Sequence, residues 1–121
     1  MEFNNSCYKL KTLNFDSGIF DACADITYII TMDTSIERHK NIIKQLSKVA
    51  PTKKVIIVFN KGFRKCPKYY LNKKINMTTT DITYSHLFIY KHAKKYNNIL
   101  VFEDDFMLNE KNFTKKAINE I

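Results

Sequence analysis

The chain has 121 residues, of which 45% are hydrophobic and 13% aromatic, with two Gly and two Pro. That composition suits one small domain with an apolar core, and it excludes wholesale disorder, collagen-like repeats and Gly-rich phosphate loops. Twenty Lys and Arg stand against twelve Asp and Glu, a formal net charge of +8; no apolar run nears the roughly 20 residues that cross a bilayer, and the opening MEFNNSCYKLK lacks the apolar stretch of a secretory signal.

Residues 1–24 are apolar at uneven intervals and read as an N-terminal extension that adds one strand or a short helix, with a turn at Asp16-Ser17-Gly18. Residues 25–32, DITYIITM, are β-branched and aromatic, which suits a strand buried on both faces. Thr34 with Glu37 three residues later fits a capping box, so a helix is predicted to start here. Its apolar arc carries Ile36, Ile42, Ile43, Leu46, Val49 and Ala50, with Lys40, Asn41, Lys44 and Lys48 opposite, and Pro51 closes it. Residues 54–60, KVIIVFN, form a second buried-type strand. Residues 61–78 read as a basic loop with Lys61, Arg64, Lys65, Lys68, Lys73 and Lys74; solvation is the default for such a loop, and a diphosphate clamp is the sharper alternative. Thr80 caps a predicted helix over 81–96 whose inner face carries Ile82, Ser85, His86, Ile89, Ala93 and Tyr96. Residues 99–102 give a third buried strand, followed at once by Glu103, Asp104 and Asp105, and residues 112–121 are compatible with a further helix. Strands alternating with helices predict an α/β fold with a mostly parallel sheet, and ligands of such sheets sit at the C-terminal rim of the strands. The polar residues at those ends are Thr31, Asp33, Asn60 and the acidic triplet.

The charge has two readings. A basic surface fits an anionic partner such as nucleic acid, acidic lipid or a phosphate-bearing substrate. The 18 Lys, 12 Asn and 15 Ile are also residues of A/T-rich codons, and only Arg38 and Arg64 have the bidentate fork that phosphate and base readers favour. Cys7, Cys23 and Cys66 are odd in number and form no CxxC pair, which argues against a disulfide scaffold or a zinc knuckle and predicts free thiols in a reducing compartment. A cytoplasmic location follows as the expectation, including the cytosol of a host if the source is viral.

Three consecutive carboxylates repel one another, so a cation is expected beside them. In extended backbone Glu103 and Asp105 share one side, with Asp104 opposite in support. Two hard oxygen ligands with open positions suit Mg²⁺ or Mn²⁺, which typically also hold a diphosphate. The bland alternative is a solvated acidic turn. His86 reads equally as a core histidine and as a substrate contact, Ser85 as a phosphate donor or a packing residue, and Arg38 as a phosphate ligand or a surface partner of Glu37.

Residues 79–106 resemble the family 25 glycosyltransferases, which include lipooligosaccharide and collagen galactosyltransferases. The resemblance is carried by Ser85-His86, by Ile89-Tyr90-Lys91-His92-Ala93, and by the strand end Leu100-Val101-Phe102-Glu103-Asp104-Asp105. Upstream, Tyr28-Ile29-Ile30-Thr31-Met32 followed by Ser35 and Arg38 resembles the family's opening strand and helix, so the likeness covers about residues 25–108. The chain departs from the family pattern at Thr31-Met32, where Asn-Leu is usual, and at Thr80-Asp81, where Gly-Cys is frequent. The resemblance implies a three-layer Rossmann-like sheet of the GT-A type, truncated, with residues 1–24 as an extension and 25–121 as a partial nucleotide-sugar-binding domain. It implies a hexosyltransferase that uses a UDP-hexose donor and a glycan or hydroxylated protein acceptor. Glu103 and Asp105 would match the DxD-like metal motif for Mn²⁺ or Mg²⁺. His86 and Asp104 would be catalytic, and Thr31, Asp33, Arg38, Asn60 and Ser85 would bind the nucleotide sugar. A complete GT-A domain is about twice this length, which raises the expectation of a second chain that completes it. Two alternatives belong to other classes: a basic nucleic-acid-binding module, and an inactive remnant acting through protein contacts.

Overall fold

The computed structural model describes residues 5–108; the helix expected at 112–121 lies outside them. After a short 3-10 turn at Asn5–Cys7 come β1 (Tyr8–Asn14), β2 (Ile26–Met32), α1 (Ile36–Lys48), β3 (Lys54–Asn60), a small hairpin of β4 (Tyr69–Tyr70) and β5 (Lys73–Lys74), α2 (Thr78–His92) and β6 (Ile99–Glu103). The main sheet has the order β1-β3-β2-β6. β2 lies parallel to both β3 and β6, and β1 pairs antiparallel with β3, from Tyr8 opposite Asn60 to Asn14 opposite Lys54. The described residues thus form a mixed α/β protein with a mostly parallel four-stranded sheet and two helices. The segment expected to be an extension supplies an edge strand of that same sheet.

Strand alternation sorts the core into two faces. Ile26 and Tyr28 of β2 and Ile56 and Val58 of β3 pack with Tyr84, Phe88, Ile89 and Ala93 from α2 and the residues after it. Ile29, Val55 and Ile57 point the other way and pack on Ile42 and Leu46 of α1. The two helices therefore cover opposite faces, and this is why β2 and β3 read as continuous apolar runs. β6, with a sheet neighbour on only one side, is half-buried along residues 99–102 rather than buried.

Both helices differ from their predicted detail. α1 is capped at Ser35 and α2 at Met77, neither with a side-chain capping bond, so Thr34 and Thr80 do not act as caps. Ile36 and Ile43 are exposed while Gln45 is buried. The inner face of α2 carries Asp81, Tyr84, Ser85, Phe88 and Ile89, about one residue out of step with the predicted arc; Ile82 is exposed. Ser85 and Ile89 lie on the inner face as expected; the face is turned toward Asp81, Tyr84 and Phe88 because the polar Asp81 is buried through hydrogen bonds, which hides the apolar period.

The free-thiol expectation is overturned for two of the three cysteines. Cys7, just before β1, and Cys66, in the loop after β3, form a disulfide with Cα atoms 5.6 Å apart. Cys23 is free and exposed. Antiparallel pairing of β1 with β3 brings the start of β1 to the end of β3, and Lys61 N–H donates to the Cys7 carbonyl at 3.0 Å. Disulfides persist in oxidising surroundings, so cysteine usage no longer argues for a reducing cytoplasm. Among the described residues no helix is long and apolar enough to cross a membrane. Gly18 is required by close approach: a Cβ there would lie 2.2 Å from the Thr52 Cα.

Candidate functional site

The parallel strands end together at Met32, Asn60 and Glu103. From β2 the chain steps to β3 on one side and later, from β3 through α2, to β6 on the other. The two connections part between β2 and β6, and open α/β sheets bind ligands at the carboxyl ends of strands where that happens. A cleft of about 390 Å³ opens there. Its floor has Thr31 and Met32, one wall has Glu103 and Asp104, and the other has Lys61, Gly62, Arg64 and Lys65, with Thr78, Asp81 and Ser85 of α2 at the back.

The acidic segment is held in place by β2 and α1. β6 ends at Glu103, and Asp104 and Asp105 form a turn in which Phe106 N–H donates to the Glu103 carbonyl at 3.1 Å. The extended alternation expected to set Glu103 and Asp105 on one side therefore stops at Glu103. Thr31 Oγ1 donates to Asp104 Oδ2 at 2.8 Å. Arg38 Nη1 lies 3.5 Å from Asp104 Oδ1 and 3.8 Å from Asp105 Oδ2. It is these two carboxylates, and not Glu37, that engage Arg38 among the ion pairs of the described residues. Asn41 Nδ2 donates to the carbonyls of Asp104 (3.1 Å) and Phe106 (3.2 Å), and Leu108 N–H donates to Gln45 Oε1 at 3.1 Å. One stripe of α1, spaced at i, i+3 and i+7, thus positions the turn. In sequence Asn41 and Gln45 resemble ordinary polar helix residues; Gln45 is distinguished only by its place beside Ile42 and Leu46 on the buried face of the helix.

Behind the cleft lies a buried polar cluster. Lys68, wholly shielded from solvent, donates to Asp81 Oδ1 at 2.5 Å and to Asn60 Oδ1 at 2.7 Å. Asn60 Nδ2 donates to Asp81 Oδ2 at 3.1 Å, and Gly62 N–H donates to Asn60 Oδ1 at 3.0 Å. Gly62 sits at φ 79°, in the left-handed region glycine adopts freely. Ser85 Oγ donates to the Asp81 carbonyl at 3.1 Å and accepts from the Tyr8 hydroxyl at 3.0 Å. Burial raises the Tyr8 phenol well above its usual pKa against the opposing effect of the Ser85 bond, and nearby Asp81 adds to the rise. A charged pair this deeply buried needs such a full set of partners to offset its desolvation.

The expected site residues thus divide. Thr31, Asn60, Ser85, Glu103 and Asp104 line the cleft, and Arg38 reaches it through Asp104. The polar atoms of Asn60 and Ser85 are engaged by the protein itself. Asp105 is exposed and is not part of the lining. His86 is also outside the lining, half-buried with its ring 6.2 Å from Tyr90. Asp33 is half-buried; its Oδ1 is shielded from solvent and has no hydrogen-bond partner.

The wall facing the carboxylates is cationic, and the first turn of α2 contributes Thr78 to the cleft. A helix start with no side-chain cap leaves backbone N–H groups able to meet an anion. Glu103 and Asp104 are two hard oxygen donors at the same opening. Among the described residues no group of three or more His, Cys, Asp or Glu is arranged to hold a metal ion. Two carboxylates completed by phosphate oxygens of a ligand is the usual arrangement for Mg²⁺; Glu103 and Asp104 both line the opening, with the Asp104 oxygens met by Thr31 and Arg38. No protein-family model, curated protein or solved structure matches this chain.

Proposed function

We propose that the chain is the nucleotide-sugar-binding part of a GT-A-type glycosyltransferase, taking a nucleoside-diphospho-hexose such as a UDP-hexose into the cleft at the rim of β2 and β6. One observation carries the reading: a carboxylate pair, Glu103 and Asp104, faces a cationic wall of Lys61, Arg64 and Lys65 across an opening at the point where the sheet connections part. A diphosphate carries negative charge that the cationic wall attracts, and a divalent ion would let it approach the carboxylates as well. Glu103 and Asp104 would hold that ion, which when bound offsets the charge developing on the departing diphosphate. The resemblance of residues 79–106 to family 25 glycosyltransferases supports the same reading.

Within this proposal the chain's own residues do the positioning. Thr31 and Arg38 orient the Asp104 carboxylate, and Asn41 holds the backbone of its turn. Lys61, Arg64 and Lys65 meet phosphate oxygens. Transfer to an acceptor hydroxyl would require an acceptor surface and further catalytic groups, supplied by a second chain that completes the domain.

Calorimetric titration of UDP-hexoses with and without Mn²⁺ tests this. Heat that needs both ligands and is lost in Asp104→Asn supports the proposal. Absence of heat under all conditions refutes it and leaves the inactive remnant. Tight binding of duplex DNA that weakens steeply with salt, without nucleotide-sugar binding, favours the nucleic-acid module instead.

A further inference from the structure

The β4–β5 hairpin stands apart from the cleft chemistry. Tyr69 pairs with Lys74 and Tyr70 with Lys73, joined by a two-residue loop of Leu71 and Asn72. Both loop residues have positive φ, 51° at Leu71 and 65° at Asn72. That is the signature of the tight turn for which Asn-Gly, Asp-Gly and Gly-Gly are strongly preferred. Asn72 conforms. Leu71 does not, because a leucine Cβ in the left-handed region is strained. Leu71 is also 74% exposed, so no core packing offsets that strain. A residue that is unfavourable in both backbone and exposure points to a role outside the fold.

Its surroundings indicate the partner. Tyr69 is 56% exposed and Tyr70 38%, and Lys73 and Lys74 are both exposed. An apolar apex between tyrosines and lysines matches the layers of a bilayer surface: hydrocarbon edge, interfacial zone suited to the Tyr ring and hydroxyl, and anionic headgroups. A stable protein interface buries about 800 Å² on each partner, whereas this apex is a single convex turn. A membrane interface needs only shallow penetration, about 5–10 Å. The base of the hairpin is firm enough to hold the tip out, since Ile75 N–H donates to the Lys68 carbonyl at 2.8 Å and Lys68 is fixed by Asp81 and Asn60. We propose that the β4–β5 hairpin is a membrane-surface anchor that inserts Leu71 into the interfacial layer of a bilayer bearing anionic lipid. The inference does not depend on sugar transfer.

Co-sedimentation of the full chain with vesicles of phosphatidylcholine, with and without phosphatidylserine, tests it. Binding is expected to the anionic vesicles and to fall with added salt. Leu71→Asn should lower vesicle affinity about tenfold, as expected for losing part of one leucine's transfer from water. The same substitution should leave the melting temperature equal or higher, because Asn adopts positive φ more easily. Lys73→Gln with Lys74→Gln should lower affinity about thirtyfold, from about 1 kcal/mol for each lysine near the surface. Wild-type vesicle affinity in Leu71→Asn would overturn the proposal, as binding would then reflect net charge alone. A lower melting temperature for Leu71→Asn would overturn it by placing Leu71 in the fold. No vesicle binding, together with self-association that Leu71→Asn abolishes, would assign the hairpin to a protein interface instead.

Discussion

Replacing Lys68 by Met tests the cluster that underlies the cleft. Lys68 and Asp81 are both buried, and Met keeps most of the lysine's apolar stem while removing its charge. Asp81 Oδ1 then has lost its ammonium partner, whereas Oδ2 keeps the Asn60 amide at 3.1 Å. Breaking a buried pair from one side costs about 3–5 kcal/mol, and the surviving Asn60 bond places this case near about 3. Unfolding entropy of about 2.1 cal/mol/K per residue gives about 0.25 kcal/mol/K for a chain of this length, so the melting temperature should fall by about 12 °C. Adding Asp81→Asn removes the stranded charge and keeps an oxygen to accept from Asn60. The double variant should therefore recover about 2 kcal/mol relative to the sum of the two single losses. Urea titrations followed by circular dichroism supply all four corners of the cycle. Additive losses, or a Lys68→Met loss below about 1 kcal/mol, would show that Lys68 reaches water and that the cluster does not anchor the loop.

Three further outcomes are expected. Reducing Cys7–Cys66, separated by 59 residues, should cost about 4 kcal/mol in the chain-entropy description and lower the melting temperature by about 15 °C; alkylation of the native, unreduced protein should label Cys23 alone, and labelling of all three cysteines would contradict the pairing. His92 Nδ1 is bonded to the buried Tyr28 hydroxyl at 2.8 Å; burial, then Lys95 and Lys54, lower the imidazole below its ordinary 6.5, and burial pushes Tyr28 up to about 12. The unfolded state therefore takes up the His92 proton first, so stability fully present above pH 6.5 is lost progressively as pH falls below that value and through the lower pKa of the folded state; a melting temperature whose acid-side slope is the same in His92→Gln would contradict this. Asn41→Ala should cost about 1–2 kcal/mol through the two carbonyls it leaves unpaired, and in the calorimetric titration it should weaken nucleotide-sugar binding without abolishing it; unchanged stability would show that water replaces the amide.

The three parallel strands were legible because their cues are local, whereas β1 lay in a segment that read equally as a strand or a short helix. DITYIITM, KVIIVFN and ILVF are apolar runs whose lengths and bounding polar residues require no knowledge of the rest of the chain, and the strands found differ from those runs by a residue at most. α1 was legible through its period and Pro51. The acidic triplet was legible as a cluster, and the rule of the C-terminal rim placed it near Thr31 and Asn60, beside the cleft that the structure has. The inner face of α2 was harder to read, since Asp81 is buried only because Lys68 and Asn60 come from elsewhere in the chain to bond it.

What remained is a matter of distance along the chain. Cys7 and Cys66 meet only because β1 runs back along β3, and no local feature of either cysteine announces the other. Lys68 looks in sequence like its loop neighbours Lys65 and Lys73, yet it alone of the three is buried, because the loop folds it against Asp81. Arg38 and Asp104 are 66 positions apart and adjoin because β2 lies between β3 and β6, with α1 leading out of its end. Composition and periodicity determined the layers, since hydrophobic burial responds to spacing over a few residues. The pairing of charges, thiols and hydrogen bonds was decided by tertiary structure, because each requires two groups within a few ångströms that only the completed topology brings together.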